Sequence, residues 1–195
     1  MAENSYVDLT GYGCVAGGLV GSNEGTITGC KASNSTISTS DPVSNVGVTA
    51  GGLVGQIRSG GTITDCVVSG GKVTATATAM NDEAASSGGL IGLIGWSGGT
   101  ITDCVVSDGK VTATVMNGEA YSGGFVGGVS RSNLSGCVVS DGKVTATAMN
   151  GKAYSGGFVG GVAESNLSGN TTTITELPAI GSDERLSPPG PSNDI

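Results

Sequence analysis

Apolar and polar residues alternate along this chain in short runs, and the runs come back at a nearly constant interval. In Lys-Val-Thr-Ala-Thr at 110–114, Val111 and Ala113 fall on one side of an extended backbone and Thr112 and Thr114 on the other. The same alternation recurs at 72–76 and 143–147. Each unit predicts three strands. The first is a Gly-Gly-aliphatic segment such as Gly123-Gly124-Phe125-Val126-Gly127. The second begins Gly-Thr-Ile-Thr-Asp-Cys-Val-Val at 99–106, and the third is the Lys-Val-Thr-Ala-Thr run. Ser107-Asp108-Gly109 and Met116-Asn117-Gly118-Glu119 read as turns between them, because Asp, Asn and Gly accept φ > 0. β-Branched residues and glycine dominate and no 3.6-residue apolar stripe is present, so helix is disfavoured throughout.

The Gly-Gly segment appears at Gly17, Gly51, Gly88, Gly123 and Gly156, with spacings of 34, 37, 35 and 33 residues. A fixed period in this range marks a solenoid, propeller or array. A unit of three short strands cannot bury its apolar side alone, but stacked units can, each strand pairing with its copy in the next coil. The expected fold is therefore all-β: a parallel β-solenoid (β-helix) with about three short strands per coil and 33–37 residues per coil. Residues 1–16 form an N-terminal lead-in or cap. Residues 17–176 hold four full repeats and one truncated repeat. Residues 177–195, with Leu177-Pro178 and Ser187-Pro188-Pro189-Gly190-Pro191, read as a Pro-containing flexible tail, since proline cannot continue a ladder.

Composition narrows the function. Only 4% of the residues are aromatic, so the core is thin and built from small and β-branched side chains. Net charge is −8 and no Lys/Arg cluster exists, which argues against nucleic acid as a partner. The apolar runs are too short to insert in a membrane. Histidine is absent, which removes the commonest general base and metal ligand together. No signal peptide is visible at the N-terminus.

The repeat unit resembles the GLUG-motif repeats of bacterial surface proteins. The residues that carry the likeness are Gly17-Gly18-Leu19-Val20-Gly21 followed by Asn23-Glu24-Gly25-Thr26-Ile27-Thr28-Gly29-Cys30, with Gly61-Thr62-Ile63-Thr64-Asp65-Cys66 matching equally well. It covers roughly residues 17–170. The resemblance implies a β-helical stalk or adhesive region at the cell surface or outside the cell.

In a solenoid, equivalent residues align as columns. Cys30, Cys66, Cys104 and Cys137 form one, with Asn170 in that place in the last coil, and are expected to be small buried thiols. Asp65 aligns with Asp103, and Asp108 with Asp141, beside a Lys72, Lys110 and Lys143 column; these are expected to be solvated turns. The sole tryptophan, Trp96, sits elsewhere in the unit. The candidate binding face is the outward side of the third strand: Ser38 and Ser40, Thr74 and Thr76, Thr112 and Thr114, Thr145 and Thr147. Its hydroxyls would lie about 6.7 Å apart along a strand and about 4.8 Å apart between coils, as on ice-binding β-solenoids.

The expected function is thus a non-enzymatic structural or adhesive module that self-associates through coil ends. It needs no cofactor and no metal. An ice-binding protein using the Thr-x-Thr face is the first alternative. A β-helical carbohydrate-active enzyme using the aspartate pairs is the second. Ice and a surface glycan are the ligands these readings name.

Overall fold

The computed structural model describes residues 1–42, 46–78, 83–95, 98–174, 178–180 and 183–186, with the side chains of residues 83 and 183–186 left aside. Trp96, Leu177 and the run 187–195 lie outside the described residues. The chain winds as a parallel β-solenoid of about five turns, and no helix occurs among the described residues. Every ladder joins a strand to its copy in a neighbouring coil, and every pairing is parallel.

Three sheets run along the axis. A glycine sheet stacks Val20–Asn23, Val54–Ile57, Ile91–Ile94, Val126–Ser130 and Val159–Ala163. A threonine sheet stacks Thr26–Thr28, Thr62–Thr64, Thr100–Thr102, Asn133–Ser135 and Asn166–Ser168. The third sheet is wide and bends twice within each coil. In its longest ladder it runs as Val105–Gly123 against Val138–Gly156.

Each coil therefore carries five short extended segments. The Gly-Thr-Ile-Thr-Asp-Cys-Val-Val run breaks at its cysteine into two strands on different sheets, Thr100–Thr102 and the start of Val105–Gly123. An additional segment precedes the Gly-Gly corner and is paired at Glu83–Gly88 with 118–123. The run 116–119 stays in the ladder. Gly118 takes φ 106° there, so the chain bends and continues instead of reversing.

Alternation decides which side chains enter the core. Val111, Ala113 and Val115 are buried while Thr112 and Thr114 are half-exposed. The core has two compartments. The larger lies between the glycine and threonine sheets and holds Leu53, Leu90, Phe125 and Phe158 with Ile63, Ile101 and Leu134. The smaller fills the bend of the wide sheet with Ile37, Val73, Val111 and columns of alanine such as Ala75, Ala113 and Ala146. Burying each Leu, Ile or Phe contributes about 1.5–3 kcal/mol, and the stack supplies them coil after coil. Phe125 and Phe158 stack with ring centroids 4.8 Å apart, which is the coil spacing.

The Gly-Gly corner closes each coil. A Cβ on Gly123 would collide with the Val126 carbonyl oxygen, and one on Gly156 with that of Val159. The backbone folds back on itself there with no room for a side chain.

Candidate binding face and stacked columns

The wide sheet brings all eight sequence-predicted face residues together. Thr74 pairs with Ser38 and with Thr112, and Thr76 with Ser40 and Thr114. Thr112 pairs with Thr145 and Thr114 with Thr147. All eight are half-buried and alternate with buried neighbours, apolar in the three threonine coils and Ile37, Thr39 and Asp41 in the first, so both columns point outward. The face is threonine over three coils. It becomes serine at Ser38 and Ser40, and the preceding layer places Asp8 and Thr10 in the two columns. Beside it runs the column Tyr6, Thr36, Lys72, Lys110 and Lys143. Thr74 Oγ1 is buried against its neighbours without a hydrogen-bond partner among the described residues.

A second Thr-x-Thr surface lies on the threonine sheet. Thr62 and Thr64 pair with Thr26 and Thr28 on one side and with Thr100 and Thr102 on the other. Thr102 Oγ1 donates to Thr64 Oγ1 at 3.2 Å. Asn133 and Ser135 then replace the pair.

The aspartates occupy corners. Asp65 and Asp103 both take φ 53°, in a column with Gly29, Gly136 and Gly169, whose φ values are 64°, 64° and 62°. Asp108 and Asp141 take φ 55° in a column that holds Asn4, Asn34 and Gly70, again left-handed. Asp and Asn tolerate this backbone better than other side chains do. Gly, Asn and Asp thus interchange in these columns because each corner needs φ > 0, which accounts for the carboxylates without chemistry. The Asp103 carboxylate lies against Gly136, where a Cβ would clash with its Oδ1.

The cysteines form a hydrogen-bonded ladder. Cys66, Cys104 and Cys137 are fully buried and free. Each thiol donates to the carbonyl two residues before it: Cys66 to Thr64 at 3.3 Å, Cys104 to Thr102 at 3.1 Å, Cys137 to Ser135 at 3.3 Å. The backbone N–H of Cys30 donates to Cys66 Sγ, and that of Cys66 to Cys104 Sγ, both at 3.4 Å. Asn170 ends the ladder in kind: its Oδ1 accepts the Cys137 N–H at 3.0 Å and its Nδ2 donates to the Leu134 carbonyl at 2.8 Å. A thiol at this corner satisfies backbone groups where the chain turns between two sheets. Burial pushes the Cys66 thiol up to about 11. The Cys137 sulfur beside it, and then burial, also raise the Cys104 thiol. Neutral thiols are inert. Among the described residues no cluster of three or more His, Cys, Asp or Glu is placed to hold a metal ion.

Three features escape the sequence pattern. Tyr121 and Tyr154 stack at 4.9 Å on the outer side of the additional segment. The Tyr121 ring packs where a Cβ on Gly161 would come within 2.6 Å of it. Its hydroxyl donates to the Glu119 carboxylate, and burial, with Glu119 beside it, raises the phenol. Next, a concave groove of about 390 Å³ runs where this segment meets the glycine sheet, bordered by Tyr121, Gln56, Leu93, Gly128 and Gly161. It continues toward the N-terminal coils as a second hollow of about 280 Å³. The twice-repeated Ala-Tyr-Ser-Gly-Gly was the available signal for both. Finally, Asp41 is buried at the inward position held by Ala77 and Val115 in later coils, and it accepts the Gly13 N–H at 2.9 Å. Burial, and then Asp41, raise the Cys14 thiol nearby.

Comparison with known families identifies one match: the model described as the GLUG motif fits residues 12–38. The matched stretch contains the first Gly-Gly corner, the first threonine-sheet strand and the first cysteine of the ladder. No curated protein matches the chain, and no solved structure matches it.

Proposed function

We propose that this chain, which carries the GLUG motif on a parallel β-solenoid, is a non-enzymatic structural and adhesive module of a bacterial surface or extracellular protein. The observation that carries the reading is the register. Threonine stands on threonine, cysteine on cysteine and tyrosine on tyrosine along the axis. Such uniform columns suit a rigid spacer with long, repetitive contact faces, and copies of the module associate through their coil ends. The carboxylates that would serve a glycosidase or lyase are accounted for by left-handed corners. Antibody labelling of intact cells of the source organism tests the location; signal only after lysis would count against it. A polysaccharide-degradation panel, with and without calcium, is expected to show no turnover. Turnover lost in Asp103→Asn would restore the enzyme reading.

The outward threonine columns support a second reading, ice binding. Two parallel rows of hydroxyls and methyls, held in register over three coils, form a flat face on which water can order. Thermal hysteresis and ice-crystal shaping by the wild type, lost in Thr112→Lys, are the expected results of that reading. No shaping by the wild type ends it.

A further inference from the structure

The two ends of the solenoid present the same part of a coil. The wide sheet has six layers among the described residues, whereas the glycine and threonine sheets have five. Its first layer is Ala2–Glu3, Tyr6–Thr10 and Val15–Gly17, laid on the first full coil. Its last is Thr171–Thr172, Ala179–Ile180 and Asp183–Leu186, laid on Val138–Gly156. Both occupy the same columns. Ala2 and Thr172 share the column of Ala32 and Val139, Leu9 and Ala179 that of Thr39 and Ala146, Val15 and Arg185 that of Thr49 and Tyr154.

This identity sets a condition on association. Val159–Ala163 and Asn166–Ser168 are edges at one end, Val20–Asn23 and Thr26–Thr28 at the other. A second copy that set its edges on the first in register would bring its first layer into the space held by Thr171–Thr172, Ala179–Ile180 and Asp183–Leu186. If instead the two end layers stacked on each other, the glycine and threonine sheets would each lack one strand between the copies.

We propose that coil ends join by strand exchange: residues 2–17 of one copy displace residues 171–186 of the next, and the three sheets then run on without a gap. The donor layer is well formed, making ten residue pairs with its neighbour layer in three ladders. The donor's free edge is also polarised correctly. Thr36, Lys72 and Lys110 donate N–H to the carbonyls of Ser5, Ser35 and Gly71 in the preceding layer. The equivalent N–H of Tyr6 therefore points away from its own solenoid, toward the Gly142 carbonyl of the copy it would join.

The inference rests on the structural-module reading, but cell labelling can succeed while exchange fails, so the two failures are distinct. The test is sedimentation velocity of the full chain over a wide concentration range. The wild type is expected to hold near its 18.8 kDa monomer mass at low concentration. Thr171→Pro with Thr173→Pro removes the N–H donors to the Cys137 and Val139 carbonyls and so loosens the displaced layer. This double variant should at least double its weight-average mass as concentration rises. Adding Tyr6→Pro, which leaves the chain's own ladder intact, should return it to monomer. A synthetic peptide of residues 1–17 should likewise suppress growth of the double variant. A double variant that stays monomeric throughout, or growth that neither Tyr6→Pro nor the peptide reduces, overturns the proposal.

Discussion

The middle-to-late coils and the first coil are built on one plan but held together differently. Between Val105–Gly123 and Val138–Gly156 the wide sheet pairs almost without interruption. Between the first two coils, among the described residues, the same path is three separate ladders: Lys31–Ser33, Thr36–Asp41 and Val48–Gly51 against their partners. The late coils also carry stacked phenylalanines, stacked tyrosines and two ion pairs between coils, Arg131 to Glu164 at 2.8 Å and Glu119 to Lys152 at 4.0 Å. In the first coil, Leu19 stands in the phenylalanine column and is 37% exposed, and Asp41 replaces an inward alanine. The difference teaches that register comes from the corners and the alternation, which every coil has. The aromatic stacks and charge pairs add stability only where the coils are nearly identical.

The corners should therefore be the most sensitive positions. Gly123→Ala forces a Cβ against the Val126 carbonyl, a backbone clash beyond ordinary overpacking, and should cost about 5 kcal/mol or more. Thermal denaturation should show a fall of at least about 10–20 °C, taking 2–4 °C per kcal/mol for a chain of this size. Gly109→Ala is the control: nothing lies within 4 Å of its added methyl, and its melting point should not move. Equal losses in both variants would break the corner argument.

The aromatic column comes next. Phe125→Ala leaves a cavity in a fully buried stack and should cost about 3–5 kcal/mol. Leu19→Ala, in the same column at the exposed end, should cost less than half of that. Comparable chemical-denaturation midpoints for the two variants would show that the late coils are no more tightly packed than the first.

The cysteine ladder sits below these. Asn170→Ala removes the acceptor of the buried Cys137 N–H and should cost about 1–3 kcal/mol. The thiols also predict a pH dependence. The Cys66 thiol rises from the ordinary 9.0 to about 11 on folding, so the folded chain holds that proton more tightly. Stability from this group is intact below pH 9 and declines as pH rises through about 11. Cys66→Ala should flatten that part of the melting profile, and an unchanged alkaline slope would contradict the assignment. The smallest effect belongs to the half-exposed ion pair: Glu119→Gln should change stability by about 0–1 kcal/mol, and less at high salt.

Much of this arrangement was legible in the residues. Period-2 alternation in Val111-Thr112-Ala113-Thr114 places the threonines outward, and the structure has them there. The Gly-Gly-aliphatic segments mark the repeat because no other residue fits the corner. The additional segment was hidden because its inward residues are small. Ala120 and Ser122 are small buried residues in the column positions that Val48 and Ala50 hold in the first coil, so in the later coils no hydrophobic alternation shows. The same smallness masked Tyr121 and the groove it borders. Asn117-Gly118 signals a hairpin in most settings. In a solenoid the strand's partner is the neighbouring coil, so positive φ at Gly118 bends the chain without reversing it, and Asn150 Nδ2 donates to Asn117 Oδ1 at 3.2 Å across the coils. The break at the cysteine was obscured for a different reason. Thr-Ile-Thr-Asp-Cys-Val-Val reads as one strand unless Asp103 is recognised as a left-handed corner.

The central claim is that equivalent residues stack one coil apart in a single parallel register, and a distance measurement along a column tests it most directly. Thr10 and Thr147 lie in one outward column with Ser40, Thr76 and Thr114 between them, so four coil steps separate them. Short spin labels at Thr10→Cys and Thr147→Cys, with Cys14 and Cys30 replaced by alanine, should report one narrow distance near 19 Å, four times the interstrand spacing. A broad distribution, or a single distance well away from that value, would contradict the stacked register and the function built on it.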